Sequence, residues 1–150
     1  MAQYFFDTSA LAKYYHTEAG SKEVLDIFGE PGCIVRVSSL GILEAQSVFA
    51  MKVRSHEASE EAGLKQRALL MADVASGRLL VHELRDEHFA SAAKLIERHG
   101  FNRQIRTLDA LQLAVALELA QRKFIDMFVL SDKRLADVAQ LEGLTVVNPV

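Results

Sequence analysis

Twenty of the 150 residues are carboxylates, and four of them stand where apolar runs end or helical segments begin. Asp7 closes the run YFF in YFFDTSAL. Glu44 lies in SLGILEAQSVF, after the run CIVRV, and Asp109 lies just past Thr107 in RTLDALQLAVALELA. Asp132 follows directly on FVLS. These residues are far apart in sequence, so only a fold can gather them. Gathered in one crevice, their negative charges are costly unless protons or divalent cations neutralise them. An all-oxygen donor set suits Mg²⁺ or Mn²⁺, which keep several waters and bridge to phosphate.

Each residue also has a plainer reading. Asp109 and Asp132 suit the first turn of a helix, where free N–H groups and the dipole favour a carboxylate by about 0.3–1 kcal/mol. Asp7 can cap a helix that starts at Thr8 or Ser9. Glu44 is too deep in its segment for capping, so on an apolar stretch it needs a solvent-facing side or a partner. The elements that position these residues therefore decide between the readings.

Short apolar runs of strand length (YFF, CIVRV, RLLVHEL, MFVL and TVV) alternate with longer segments of helical period. Helices are expected over Ser9 to about His16, Ser21–Phe28, Leu40 to about Arg54, Ser59–Ala75, Asp86–Arg98, Thr107–Arg122 and Asp132–Leu141. Ser38 or Ser39 and Thr107 are the expected N-caps, and Gly29, Gly77, Gly100 and Gly143 the stop signals. Five strands alternating with helices predict an α/β fold with a mostly parallel sheet covered on both faces. Ligands of such sheets bind outside the carboxyl ends of the strands, where strand order reverses. All four carboxylates are expected at that edge.

The bulk properties narrow the setting. The length suits one domain over residues 1–150, and with only Pro31 and Pro149 and no linker-like stretch, nothing marks a boundary. The lone Cys33 cannot form an internal disulfide; it reads as core filler in a strand and points to a reducing cytoplasm. Met1–Phe6 is too short for a signal peptide, and LDALQLAVALELA is broken by Asp109, Gln112 and Glu118, so no membrane span is expected. A net charge of −3 excludes a broadly basic nucleic-acid binder. Any phosphate must then be gripped locally, by Lys13, Arg103, Arg106, Lys133 and Arg134. His16, His56, His82, His88 and His99 show no paired metal-ligand spacing and read as surface or loop residues without a catalytic role. Tyr14, Tyr15 and Phe101 are the aromatic residues available to stack a base.

Four stretches, DTSALAKYY, SLGILEAQSVF, RTLDALQLAVALELA and FVLSDKRLADVA, resemble the signature blocks of the PIN-domain ribonucleases, and most closely those of VapC-like toxins of type II toxin–antitoxin pairs. The resemblance covers nearly the whole chain. It implies a three-layer α/β/α sandwich around a parallel sheet. It also implies an acidic pocket of Asp7, Glu44, Asp109 and Asp132 binding one or two Mg²⁺ or Mn²⁺ ions, an RNA substrate, a small antitoxin and a homodimer. Water attack assisted by such ions is expected to leave a 5′-phosphate and a 3′-hydroxyl. Asp7 and Asp109 are the expected direct ligands, Glu44 a ligand or the group that orients the water, and Asp132 the completion of the shell. Ser9 either holds a metal-bound water or caps the helix.

The fourth block departs from the family pattern, with Leu130 where a Thr or Ser often stands two residues before the aspartate. In SHEASEEAGLKQRALLMADVAS, the apolar residues Leu64, Ala68, Leu69, Met71 and Ala72 either dock a helix on the core or, as the resemblance implies, help form a groove for an antitoxin or a second copy. Three other readings stay open. The chain can be a PIN-fold RNA-processing nuclease without an antitoxin, or an inert PIN module that binds RNA or protein. A haloacid-dehalogenase-type phosphohydrolase also begins with an aspartate after strand one, but wants a second acid where Ser9 stands.

Overall fold

The computed structural model describes residues 1–150. Five strands, β1 (Gln3–Phe6), β2 (Ile34–Ser38), β3 (Leu79–His82), β4 (Met127–Val129) and β5 (Val146–Val147), form one sheet. Seven helices connect them: α1 (Thr8–Tyr15), α2 (Ser21–Phe28), α3 (Ser39–Arg54), α4 (Glu60–Ala75), α5 (Asp86–His99), α6 (Thr107–Gln121) and α7 (Lys133–Leu141). Every strand pair is parallel, in the order β3-β2-β1-β4-β5.

Side-chain alternation along β1 divides the core in two. Tyr4 and Phe6 pack with Val35, Val37, Leu79 and Val129 against Leu11, Val24, Ala45, Phe49 and Leu70, which come from α1 to α4. Phe5 faces the other way with Phe128 and Leu130, against α5, α6 and α7. The result is the expected three-layer α/β/α sandwich. Helix α6 is buried on nearly all sides, from Ala110 to Ala116 without a break. Its all-round apolar character and its place between sheet and α5 are the same fact. No helix is long and apolar enough to cross a membrane.

The chain builds β2 and β3 on one side of β1, then crosses back to build β4 and β5 on the other. The reversal of strand order therefore falls between β1 and β4, whose carboxyl ends lead into Asp7 and Asp132.

Several sequence expectations shift. Arg106, not Thr107, is the N-cap of α6, and Asp132 caps α7 rather than opening it. Cys33 lies just before β2 and is only half buried. His88 is not a surface residue: it is 3 % exposed. Its Nδ1 accepts the Arg85 N–H at 2.9 Å, and its Nε2 meets Glu118 Oε1 at 3.1 Å, so it fills the seam between α5 and α6. His82 lies within β3, half buried, at 3.1 Å from Arg36.

For α4 the sequence left two arrangements open, and the fold decides between them. Only Gln66 and Leu70 are buried, while Leu64 (66 % exposed), Ala68, Leu69, Met71 and Ala72 face solvent. These apolar residues form an outer face and do not dock on the core.

Candidate active site

Asp7 sits one residue beyond β1, where its backbone N–H still donates to Val129 O of β4 at 3.0 Å. The sheet thus fixes its position, and the turn into α1 fixes its side chain. Oδ1 accepts the Ala10 N–H at 3.1 Å and the Ser9 hydroxyl at 2.6 Å. Capping and a role in the pocket are therefore not alternatives for Asp7: one oxygen caps the helix and the other remains free. The same Ser9 oxygen accepts the Ser131 N–H at 3.0 Å. Ser9 thereby ties the β1 end to the β4 end, one residue before Asp132.

Asp7 is 5 % exposed. Burial pushes its carboxyl up from 3.8 to about 7, with Asp109 and Asp132 adding repulsion, against the opposing pull of the Ser9 and Ala10 hydrogen bonds. Asp109, half buried in the first turn of α6, is also raised. Burial is again the first cause, then Asp132, with Glu44 adding less; the Arg106 N–H and guanidinium oppose the shift. Asp7, Asp109 and Asp132 thus repel one another, and Glu44 acts more weakly on Asp109, along the one sheet edge where β1 and β4 end.

Glu44 is held by a chain of hydrogen bonds that sequence reading missed. The Gly41 N–H donates to Ser38 Oγ (2.9 Å), and the Ser38 hydroxyl donates to Gln112 Oε1 (2.8 Å). Gln112 Nε2 donates to Thr8 Oγ1 at 3.3 Å and lies 3.4 Å from Glu44 Oε1, which also accepts the Thr8 hydroxyl at 2.9 Å. The chain links β2, α3, α1 and α6. Gly41 belongs to it by size, since a Cβ there would lie 3.2 Å from Gln112 Nε2. The signal in the sequence was a single amide within the apolar stretch of α6, three residues after Asp109.

Asp132 accepts the N–H groups of Arg134 (2.9 Å) and Leu135 (3.3 Å) through Oδ1. Leu130 is fully buried in the core, and the Ser131 hydroxyl turns to Pro149 O at 3.3 Å. Neither side chain supplies the missing hydroxyl. The Ser131 backbone makes the connection instead, through Ser9.

No three acidic side chains converge closely enough to hold one ion by themselves. The donor set fits a hydrated Mg²⁺ or Mn²⁺, which needs only one or two direct carboxylates and reaches the others through water. Asp7, a buried residue whose second oxygen has no partner in the protein and reaches solvent, with a proton that a cation would displace, is the residue best suited to ligate.

Among the cations, Lys133, Arg134 and Arg106 lie at the starts of α7 and α6, beside Asp132 and Asp109. Lys13 does not join them: its ammonium contacts Ala19 O at 2.5 Å and Glu18 at 3.7 Å, near the far end of α1. No histidine hydrogen-bonds any of the four carboxylates. Tyr14 is stacked on Phe28 at 4.1 Å and Tyr15 packs on Phe49 at 5.8 Å, which leaves Phe101 as the free aromatic.

Several solved structures share this fold. VapC20 from Mycobacterium tuberculosis, a sarcin–ricin-loop-cleaving toxin, superposes with a TM-score of 0.70 at 20 % identity, over 97 % of this chain and 99 % of that one. VapBC2 from Rickettsia felis, bound to a fragment of its promoter DNA, gives 0.63 at 14 % identity, over 97 % and 98 %. A toxin–antitoxin complex from Klebsiella pneumoniae gives 0.59 at 17 % identity, over 100 % and 98 %. Curated sequences give no significant match. The model of the PIN domain matches residues 4–141, spanning all four carboxylates. With its parallel sheet, the acidic edge at the β1/β4 reversal and this match, the chain belongs to the PIN-domain family.

Proposed function

We propose that this protein is a Mg²⁺- or Mn²⁺-dependent endoribonuclease and the toxin of a toxin–antitoxin pair. The observation that carries the reading is Asp7, a buried carboxylate with one free oxygen, repelled by Asp109 and Asp132 and left near neutrality without a compensating charge. Asp7 and Asp109 would hold the ion directly, with Asp132 in reach through water. Glu44, aimed by Thr8 and Gln112, would orient the attacking water. A bound cation supplies positive charge at the phosphodiester and makes water more acidic. Ser9 is a positioning residue, holding the Asp7 oxygen and the Ser131 backbone together. Arg106, Lys133 and Arg134 hold substrate phosphates; Lys13, tied to Glu18 and Ala19, does not.

A cavity of about 350 Å³ between α3 and α4, lined by Phe49, Ala50, Val53, Gly63 and Leu64 among others, supports a partner. With the outward Leu64, Leu69 and Met71 it suits an apolar segment of a small antitoxin or a second copy. This favours the toxin over an RNA-processing nuclease that acts alone. The toxin–antitoxin complexes of similar fold from Rickettsia felis and Klebsiella pneumoniae support the same choice.

The test is incubation of total bacterial RNA with purified protein in EDTA, Mg²⁺ or Mn²⁺, alongside Asp7→Asn and Asp109→Asn. Discrete, metal-dependent fragments are expected from the wild type. Either variant should lose more than the roughly 10–100-fold that an outer-shell partner is worth. A folded variant with wild-type activity would remove that residue from the mechanism.

A further inference from the structure

Between α5 and α6 the chain runs through GFNRQIR, residues 100–106, and ends at the N-cap of the helix that carries Asp109. The turn is well fastened. The Gly100 N–H donates to Ile96 O at 2.7 Å, and the Asn102 and Arg103 N–H groups donate to His99 O at 3.1 and 2.9 Å. A Cβ at Gly100 would lie 2.5 Å from Ile96 O, so glycine is what lets the chain pass. The consequence is Phe101, whose side chain is 101 % exposed, more than any other phenylalanine in the molecule. It packs on nothing.

Beside it lies a cavity of about 200 Å³ lined by Asn102, Arg103, Gln104, Arg134 and Asp137, with no apolar residue. A second, of about 330 Å³, shares Arg103 and Asp137 and extends to Gln140 and Leu141. The walls are the loop and α7, which are the two segments adjoining Asp109 and Asp132. Arg134 is hydrogen-bonded to Gln104 Oε1, which pins loop to helix. Arg103, Arg106, Lys133 and Arg134 form no ion pair; every ion pair of the molecule lies elsewhere. Next to the free ring of Phe101, a polar cleft offers two amides and the Arg103 and Arg134 guanidinium groups, with the Asp137 carboxylate on one wall, and this is chemistry that recognises an unpaired nucleotide. The ring stacks a base, amides and guanidinium read its edge, and cations hold the backbone.

We propose that residues 100–106 and α7 form a subsite for an unpaired nucleotide of the RNA, set back from the bond that is cut along the length of α7. Phe101 is its stacking platform, and Asn102, Arg103 and Gln104 stand at the base edge. This rests on the endoribonuclease reading and adds to it a determinant of where RNA is cut.

The chain contains no tryptophan, so Phe101→Trp installs a single indole reporter at a position with no packing to disturb. In an Asp7→Asn background, random-sequence single-stranded RNA should quench that indole saturably, and duplex RNA of the same composition should quench it much less. With Asp7 intact, sequencing the ends of fragments cut from total bacterial RNA should show Phe101→Ala losing about tenfold of the base preference at one position a few nucleotides from the cut. Phe101→Trp should retain that preference. Labelled RNA that binds, by anisotropy, while indole emission stays unchanged would overturn the subsite. So would unchanged fragment ends from Phe101→Ala, and if Asp7→Asn still abolishes cutting, the nuclease reading survives alone. A wild type that neither cuts nor binds RNA removes both.

Discussion

Asp7 carries the energetic tension of the site. Its ordinary carboxyl value of 3.8 applies to the unfolded chain, whereas the folded environment moves it to about 7. Between those values the folded state holds a proton that the unfolded state has lost, so metal-free stability falls as pH rises through that window. Below about pH 4 both states are protonated, and above about 7 neither is. The full difference is worth about 4 kcal/mol as an upper bound. Denaturant unfolding of the metal-free wild type should show this decline, and Asp7→Asn should flatten it and be the more stable protein at pH 8. Identical pH profiles would mean that the carboxyl is better solvated than its burial indicates. The position of Asp7 was legible in YFFDTSAL because a buried strand must end at the sheet edge. Its dual use as cap and pocket residue was not, since that depends on which oxygen faces the turn.

At the scale of elements, the site is a meeting of four helix starts. Helices α1, α3, α6 and α7 begin at the same sheet edge, and Gln112 joins three of them through Ser38, Thr8 and Glu44. Gln112→Leu leaves the buried Ser38 hydroxyl without its acceptor, which costs about 1–3 kcal/mol, and leaves Glu44 held by Thr8 alone. It should also lower cleavage roughly 10–100-fold by loosening Glu44, with the Asp7 pH window unchanged. Loss of stability without loss of activity would make Gln112 a packing residue only. The alternation of apolar runs exposed the sheet and its helical cover, and the strand-end rule exposed Asp109 and Asp132. Gln112 stayed hidden because periodicity marks it only as an interruption in an apolar helix. His88 stayed hidden for the converse reason: a polar ring reads as surface unless its partners, the Arg85 N–H and Glu118, are known.

For the whole molecule, the mildly acidic net charge is compatible with an RNA substrate because positive charge is local. Arg106, Lys133 and Arg134 stand at the starts of α6 and α7, beside Asp109 and Asp132, and a cation at that edge would further reduce repulsion. Helix α4 is where the sequence left two arrangements open. Its apolar residues could dock on the core or face a partner, and Leu64, Leu69 and Met71 point outward. Leu64→Lys should therefore leave unfolding within about 0.5 kcal/mol of wild type, while shifting a self-associated form toward monomer in sedimentation. If self-association persists in Leu64→Lys, the α3–α4 groove is not the dimer contact and is left to the antitoxin.

The chemistry of the cut ends is the most direct test of cleavage at a carboxylate-held cation. Fragments from a structured RNA digested with Mn²⁺ would be tested for 5′-phosphate and 3′-hydroxyl termini, with Asp7→Asn as control. Attack by water at a carboxylate-held cation predicts 5′-phosphate and 3′-hydroxyl ends that disappear in the variant. Ends bearing 5′-hydroxyl and cyclic phosphate, or 5′-phosphate ends that persist without Asp7, would contradict it.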